Sequence, residues 1–390
     1  MQRLIALDMS AGEQYVSAVL RAWEGGDAVM PLDRRLPSGT MQRLIDVCRP
    51  THVLSDDGVL MKQASGIPVD EDDALVMPTS GTSTRPKGVV LTMDALETSA
   101  RMASARLSVD RDTDTWLACL PLAHIGGFSV ITKALFNGVR LRLLDGFDAG
   151  LVENEARRGA TLVSLVPTVL GRVDARLFRR IVLGGSMVPD GLPDNVVTTY
   201  GMTETGSGCI YDGIPLDGVE MAIRSSNGNV SSCGGGEVMI RGSVLLRCYR
   251  DGNVPLLPDG WFPTGDNGWI EGGDEVDTQG PLHVLGRMSE IINTGGEKVA
   301  PEQVERVLAA HKSVQEVAVV GKPDPQWGER VVACVVPKDW SDPPTLESLA
   351  EMAKSHLAPW AAPKELVLLE SMPKTPLLKT ARHILKRGMP

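Results

Sequence analysis

A chain of 390 residues is long enough for two or three domains, each with its own core. Its net charge of −10 is spread over intermixed acidic and basic residues, which disfavours an extended nucleic-acid surface and requires any phosphate ligand to meet local positive charge. No apolar run approaches the roughly 20 residues of a membrane span, nothing resembles a secretory leader, and the six cysteines lack Cys-x-x-Cys or metal-ligand spacing, so reduced, buried thiols in the cytoplasm are expected.

In chain order, Ala11 to Trp23 has helical spacing, Asp27 to Pro31 is short and extended, and Thr40 to Cys48 is helical again. That alternation predicts an α/β fold with parallel strands. Helices are expected over Met93 to Ala105 and Phe128 to Phe136, the second stopping at Asn137-Gly138 before a strand from Val139 to Leu144. Ala160 to Val166 and Arg180 to Leu183 read as buried strands, and the latter opens into Gly184-Gly185-Ser186, the kind of strand end at which α/β sheets bind ligands. From Ile223 to Gly236 the chain is rich in Gly, Ser and Asn, predicting hairpin turns before a strand from Glu237 to Arg241. Beyond Gly286-Arg287 the pattern resets: a helix opening at Pro301, strands near Val314 to Val320 and Arg330 to Val336, a helix from Thr345 to Ser355 and a strand from Glu365 to Leu369 make an α+β unit.

Five motifs carry the chemistry. Thr79-Ser80-Gly81-Thr82-Ser83-Thr84-Arg85-Pro86-Lys87-Gly88 combines small residues that let backbone N–H groups approach, hydroxyl donors and a cation, which is what a phosphate cradle requires. Its order is not that of an ordinary P-loop. Tyr200-Gly201-Met202-Thr203-Glu204 follows an extended segment from Val196 to Thr199, placing a hydroxyl and a carboxylate where they suit an α-phosphate and Mg²⁺. Then come Gly260-Trp261-Phe262-Pro263-Thr264-Gly265-Asp266, Gly286-Arg287, and Pro373-Lys374-Thr375-Pro376-Leu377-Leu378-Lys379. Any one of these also fits a turn or capped loop; together and in order they point to activation of a carboxylate with ATP.

This set, with the run from Gly286 to Glu302 and the segment Pro121-Leu122-Ala123-His124-Ile125-Gly126-Gly127, resembles the adenylate-forming superfamily from about residue 75 to the C-terminus. The resemblance is to its acyl- and aryl-CoA ligase branch, with small aryl-CoA ligases and o-succinylbenzoyl-CoA synthetases nearest. It implies a large N-terminal α/β domain over 1–287, shortened relative to the family, and a small mobile α+β domain over 288–390 that hinges at Ser289. It also implies two half-reactions: a carboxylic acid and ATP give acyl-AMP, and CoA then displaces AMP. Lys87 and the loop residues Thr79, Ser80, Gly81, Thr82 and Ser83 would hold the β/γ-phosphates. Thr203 would meet the α-phosphate and Glu204 the Mg²⁺ ion. Gly184, Gly185, Ser186, Tyr200, Gly201 and Met202 would line the nucleotide site. Asp266 and Arg287 would take the ribose, and Lys379 would bridge the carboxylate and the α-phosphate. His124 stands between a structural role and a gate for the acyl or pantetheine tunnel, and Gly295-Gly296 between a simple turn and a wall of that tunnel.

Two departures fall on the adenylation half. Thr84 and Leu378 stand where the family has glycine, and glycine serves positions of close backbone approach. The alternatives therefore stay open: a complete acyl- or aryl-CoA ligase, a ligase that takes preformed acyl-AMP, or an adenylation enzyme that loads a carrier protein. The acyl-pocket segment contains no acid to bind an ammonium group, so a free amino acid is not expected and a largely apolar or aromatic carboxylate is. Pairing of two copies is a further expectation; nucleic acid and membrane are not expected partners.

Overall fold

A computed structural model describes residues 2–79, 86–186, 188–189, 191–272, 279–374 and 380–388. The chain divides into two compact units, one of Met1–Met221 with Ile240–Pro263 and one of Ala222–Met239 with Thr264–Pro390. No helix among the described residues is long and apolar enough to cross a membrane.

Two seven-stranded sheets organise the first unit. One runs in the order Cys248–Tyr249, Lys87–Thr92, Asp73–Thr79, Ala28–Pro31, Leu4–Asp8, His52–Ser55, Leu60–Lys62. Its middle strands are parallel, whereas its flanks pair antiparallel. The other runs Ile214–Pro215, Ser207–Tyr211, Val196–Met202, Arg180–Gly184, Leu162–Leu165, Thr115–Ala118, Arg140–Leu143, and is parallel from Val196–Met202 onward, whereas Ser207–Tyr211 pairs antiparallel with both of its neighbours. The central parallel strands are apolar on both faces, as strands covered on both sides are. Leu162–Leu165 and Thr115–Ala118 are buried throughout.

Caps set the helices. Thr92 accepts the Ala95 N–H to open Met93–Arg106, and Asp148 accepts from Leu151 to open Ala149–Arg157. The helix expected to start at Phe128 begins at Ile125, because Gly126 and Gly127 lie inside it. A Cβ on Gly127 would sit 2.3 Å from the Pro121 carbonyl oxygen, so glycine here lets the helix close on the preceding turn and does not break it. Gly138 in the left-handed region ends the helix, as expected.

In the second unit the hairpin Phe262–Gly272 with Gln279–Arg287 belongs to a five-stranded sheet. A further sheet runs Glu297–Val299, Ile292–Thr294, Gly328–Pro337, Val314–Asp324, with Glu365–Leu368 parallel to Gly328–Pro337. Helices Pro301–Ala309 and Leu346–His356 cover one face through Val304, Leu308, Leu349 and Ala353, while Met372 and Leu385 pack on the other. All six cysteines are free thiols. Five are buried, and Cys233, on a glycine-rich hairpin, is exposed, contrary to the expectation of burial throughout.

Candidate active site

In the first unit, strands Asp73–Thr79 and Lys87–Thr92 pair antiparallel with Thr79 opposite Lys87, and the Thr79 hydroxyl lies 3.5 Å from the Lys87 carbonyl. This register brings the two ends of the predicted phosphate loop together. Ser80, Gly81, Thr82, Ser83 and Thr84 lie outside the described residues. Lys87 Nζ stands 4.3 Å from the centre of the Tyr249 ring, and the Tyr249 hydroxyl donates to Glu204 Oε1 at 3.0 Å. One aromatic side chain thus links the predicted phosphate lysine to the predicted metal carboxylate.

Glu204 rides on a single 3-10 turn, Thr203–Thr205, that joins Val196–Met202 to Ser207–Tyr211. Thr205, fully buried, locks the turn: its Oγ1 accepts the Met202 N–H at 2.9 Å and lies 2.6 Å from the Ser207 carbonyl. The pairing slips between Tyr200 and Gly201, and a Cβ on Gly201 would come 2.1 Å from the Ser207 oxygen. Glycine at 201 is therefore a backbone requirement of the hairpin that presents Thr203 and Glu204. Gly184 ends the neighbouring strand opposite Thr199, where a Cβ would lie 2.7 Å from Thr199 Cγ2, and Gly185 turns away with φ of 91°. Ser186 follows it in a bend.

His124 caps the helix Ile125–Asn137 and places Nε2 3.2 Å from Asp33 Oδ2. Arg35 grips the same carboxylate with two contacts of 2.7 Å. Burial opposes ionisation of Asp33, but the hydrogen bonds from Arg35 and His124 outweigh it and hold the carboxyl well below the ordinary range. Further along this helix, Lys133 is 2 % exposed and rests under the site hairpin, with Nζ 3.2 Å from Ser129 Oγ, 3.5 Å from Ser207 Oγ and 5.6 Å from the Trp116 ring. Burial pushes its ammonium down to about 8, and no carboxylate pairs with it among the described residues.

The second unit holds the other pair. Asp266 is not in a turn; it lies in a strand opposite Arg287, whose Nε is 2.8 Å from Asp266 Oδ1. Arg287 also donates to the Thr264 carbonyl, and the Asp266 N–H to the Thr264 hydroxyl. Gly295 and Gly296, with φ of 62° and 88°, form a tight turn between Ile292–Thr294 and Glu297–Val299. Leu378 and Lys379 lie outside the described residues.

Residues 56–250 match the model of the AMP-binding enzyme family, and residues 303–379 that of the AMP-binding enzyme C-terminal domain. A probable 2-succinylbenzoate–CoA ligase of Mycobacterium tuberculosis is 37% identical over 92% of this chain and 94% of its own length. The chain belongs to the AMP-binding, adenylate-forming enzymes. Within them it falls on the acyl- and aryl-CoA ligase branch. A 2-succinylbenzoate–CoA ligase of Bacillus cereus is 33% identical over 81% of this chain and 70% of its own length. The o-succinylbenzoate CoA synthetase of Bacillus subtilis, solved with its acyl-adenylate intermediate, superposes with a TM-score of 0.85 at 28% identity, covering 99% of this chain and 88% of that one. The ATP-bound MatB of Rhodopseudomonas palustris, at 22% identity and a TM-score of 0.86, shares the fold.

For this AMP-binding enzyme, four structural participants lay outside the motifs: Tyr249, Thr205, Asp33 and Lys133. Only Lys133 left a signal in the sequence, as the sole charge in the helix Ile125–Asn137. Glu204 suits a magnesium ion that arrives with its nucleotide: it is a single carboxylate with one hydrogen bond from Tyr249, and Mg²⁺ in nucleotide sites takes one or two carboxylates, with phosphates and water completing its shell. No group of three acidic, histidine or cysteine side chains suited to a resident metal occurs among the described residues.

Proposed function

We propose that this chain is a cytoplasmic CoA ligase that converts an aromatic dicarboxylic acid of the 2-succinylbenzoate type into its acyl-AMP and then its CoA thioester. Lys133 carries the assignment. A fully buried ammonium without a carboxylate partner destabilises the protein unless a ligand supplies the counter-charge. The M. tuberculosis and B. cereus relatives are named for a substrate with two carboxylates: one can be activated while the other meets Lys133.

In the first half-reaction a carboxylate oxygen of the acid attacks the α-phosphorus of ATP and pyrophosphate leaves. Such a transfer depends on positioning and charge neutralisation more than on covalent help. Lys87, with Thr79 and the loop it closes, holds the outer phosphates; Thr203 meets the α-phosphate, and Glu204 would hold a Mg²⁺ ion, which would supply neutralisation of phosphate charge. The strand ends at Gly184, Gly185 and Ser186 and at Tyr200, Gly201 and Met202 floor the nucleotide. Asp266 accepts the ribose hydroxyls while Arg287 fixes its carboxylate, and Lys379 bridges the reacting groups. In the second half-reaction the CoA thiol attacks the acyl carbon and AMP departs, with Gly295-Gly296 beside the pantetheine arm and His124, held by Asp33, at the entrance. A boundary at 287/288 with its hinge at Ser289 lets the C-terminal domain serve both steps.

The test is a panel of aryl mono- and dicarboxylic acids assayed in parallel for pyrophosphate release and thioester formation, with wild type and Lys379→Ala. Dicarboxylates should be preferred, and Lys379→Ala should abolish pyrophosphate release yet largely spare thioester formation from supplied acyl-AMP. A wild type that releases no pyrophosphate but converts acyl-AMP would assign the chain to the thioester-only alternative and implicate Thr84 and Leu378. Activation without transfer to free CoA would point to a carrier protein.

A further inference from the structure

The second unit buries a charge cluster that the reaction scheme above leaves unused. Arg382, 18% exposed, meets three carboxylates: Glu290 at 2.7 Å, Glu302 at 3.1 Å and Glu305 at 2.7 Å. Glu290 lies on the 3-10 turn Met288–Glu290, Glu302 and Glu305 share the helix Pro301–Ala309, and Arg382 opens the helix Arg382–Arg387. Three carboxylates against one guanidinium leave an excess of negative charge away from water, a state that proton uptake relieves.

Hydrogen bonding identifies where the proton sits. Glu305 is engaged at both oxygens, by the Val319 N–H at 2.6 Å and by Arg382. Glu302 offers one oxygen to Arg382, and its Oε2 is buried with no hydrogen-bond partner among the described residues. An unpartnered buried oxygen is far less costly on a neutral carboxyl than on an anion. Burial, only partly offset by Arg382, pushes Glu302 up to about 7, with Glu305 and Glu290 adding repulsion.

Glu302 Oε2 lies against Gly286. A Cβ there would come 2.0 Å from it, and φ of 125° at Gly286 is open to glycine alone. The next residue is Arg287, the partner of Asp266. We propose that Glu302 and Arg382 are positioning residues for the Asp266–Arg287 pair, and that Glu302 does this work in its protonated form. Neutral Glu302 lets the backbone at Gly286 pack on it and leaves Arg287 to Asp266. Once ionised, it adds a second negative charge beside that pair and competes with Asp266 for the guanidinium. Of the other charges on surrounding elements, Glu316 pairs with Lys374 and Lys322 with Glu365, while Arg306 shares the helix of Glu302, and His383, Lys386 and Arg387 share that of Arg382. The helix Leu346–His356 presents Leu349 and Ala353 to the same core.

The inference rests on Asp266 binding ribose, so the experiment separates the two. AMP affinity is measured by calorimetry from pH 6 to 8 for wild type, Glu302→Gln, Glu290→Gln and Asp266→Ala. The wild-type Kd should rise at least several-fold across this range relative to Glu302→Gln, a comparison that cancels the ionisation of AMP itself. Glu290→Gln removes a repelling charge and should move the fall in affinity to lower pH. Carbon-13 NMR of the glutamate carboxyls should show one signal titrating near neutrality that is lost in Glu302→Gln; if that variant does not fold, the wild-type titration and the Glu290→Gln shift decide. Matching pH profiles for wild type and Glu302→Gln, or a Glu302 that titrates in the ordinary carboxylate range, overturns the proposal while leaving the ribose site intact. An Asp266→Ala protein that binds AMP as wild type does overturns both.

Discussion

Replacing Lys133 with methionine should make the protein more stable and a poorer enzyme for its acid. The two side chains are similar in length, so the packing against Trp116 survives while the buried charge goes. Burial lowers the ammonium to about 8, against an ordinary lysine value of about 10.4, and the difference corresponds to about 3 kcal/mol set against the charged form. The unfolded chain keeps its proton up to pH ~10 whereas the folded protein releases it near 8, so stability rises with pH between those values and is lowest below them. Lys133→Met should therefore gain about 1–3 kcal/mol at pH 7, after allowing for the contacts to Ser129 and Ser207, and that gain should shrink above pH ~8. Thermal unfolding reads this as a Tm higher by several degrees. Loss of a charge-assisted hydrogen bond of about 1.5–3 kcal/mol should raise KM for a dicarboxylic acid roughly 10- to 100-fold, while an aryl monocarboxylate is used as before. A variant that is less stable than wild type at pH 7 and keeps its KM would make Lys133 a structural lysine and sink the assignment of the second carboxylate.

Asp266→Ala should weaken AMP binding by at least about 100-fold, since two charge-assisted hydrogen bonds of about 1.5–3 kcal/mol each are removed; calorimetry that finds equal affinity removes Asp266 from the site. Asp33 titrates well below its ordinary value in the folded state, so its contribution to stability is present above the unfolded value near 4 and is lost as pH falls below it. Asp33→Asn should flatten the acid limb of a plot of Tm against pH below pH ~4 while leaving its shape above that unchanged, and an unchanged limb would mean that its contacts with Arg35 and His124 do not persist in solution.

The features legible in the sequence were those set by local chemistry. Pro301 opens its helix and Gly138 closes another where their fixed or permissive backbones require, and the apolar runs at Leu162–Leu165 and Arg180–Gly184 became buried strands. Asp266 showed the limit of such cues. Thr-Gly-Asp-Asn-Gly has the composition of a turn, yet pairing with Arg287 draws it into a strand, and that pairing is a property of two segments at once. The same holds for the glycines at 126 and 127, which lie inside a helix expected to begin after them, with Gly127 giving clearance to the Pro121 carbonyl. Tyr249 and Asp33 were invisible for a related reason. Neither sits in a patterned run, and each gains its role only when folding sets it beside Lys87 and Glu204, or beside Arg35 and His124.

The thiols described with the fold bear on a hazard of this chemistry. An acyl adenylate is an acylating agent whose intended target is a thiol, and Cys209 lies on the strand that leaves the Thr203–Thr205 turn. Burial pushes Cys48, Cys119 and Cys209 up to about 12, so at neutral pH they stay protonated and are poor nucleophiles. Self-modification is suppressed by the same packing that builds the core, without any residue devoted to the purpose. Cys233 alone stands in solvent, which makes it the position at which stray acylation or a thiol-directed label would register on this protein.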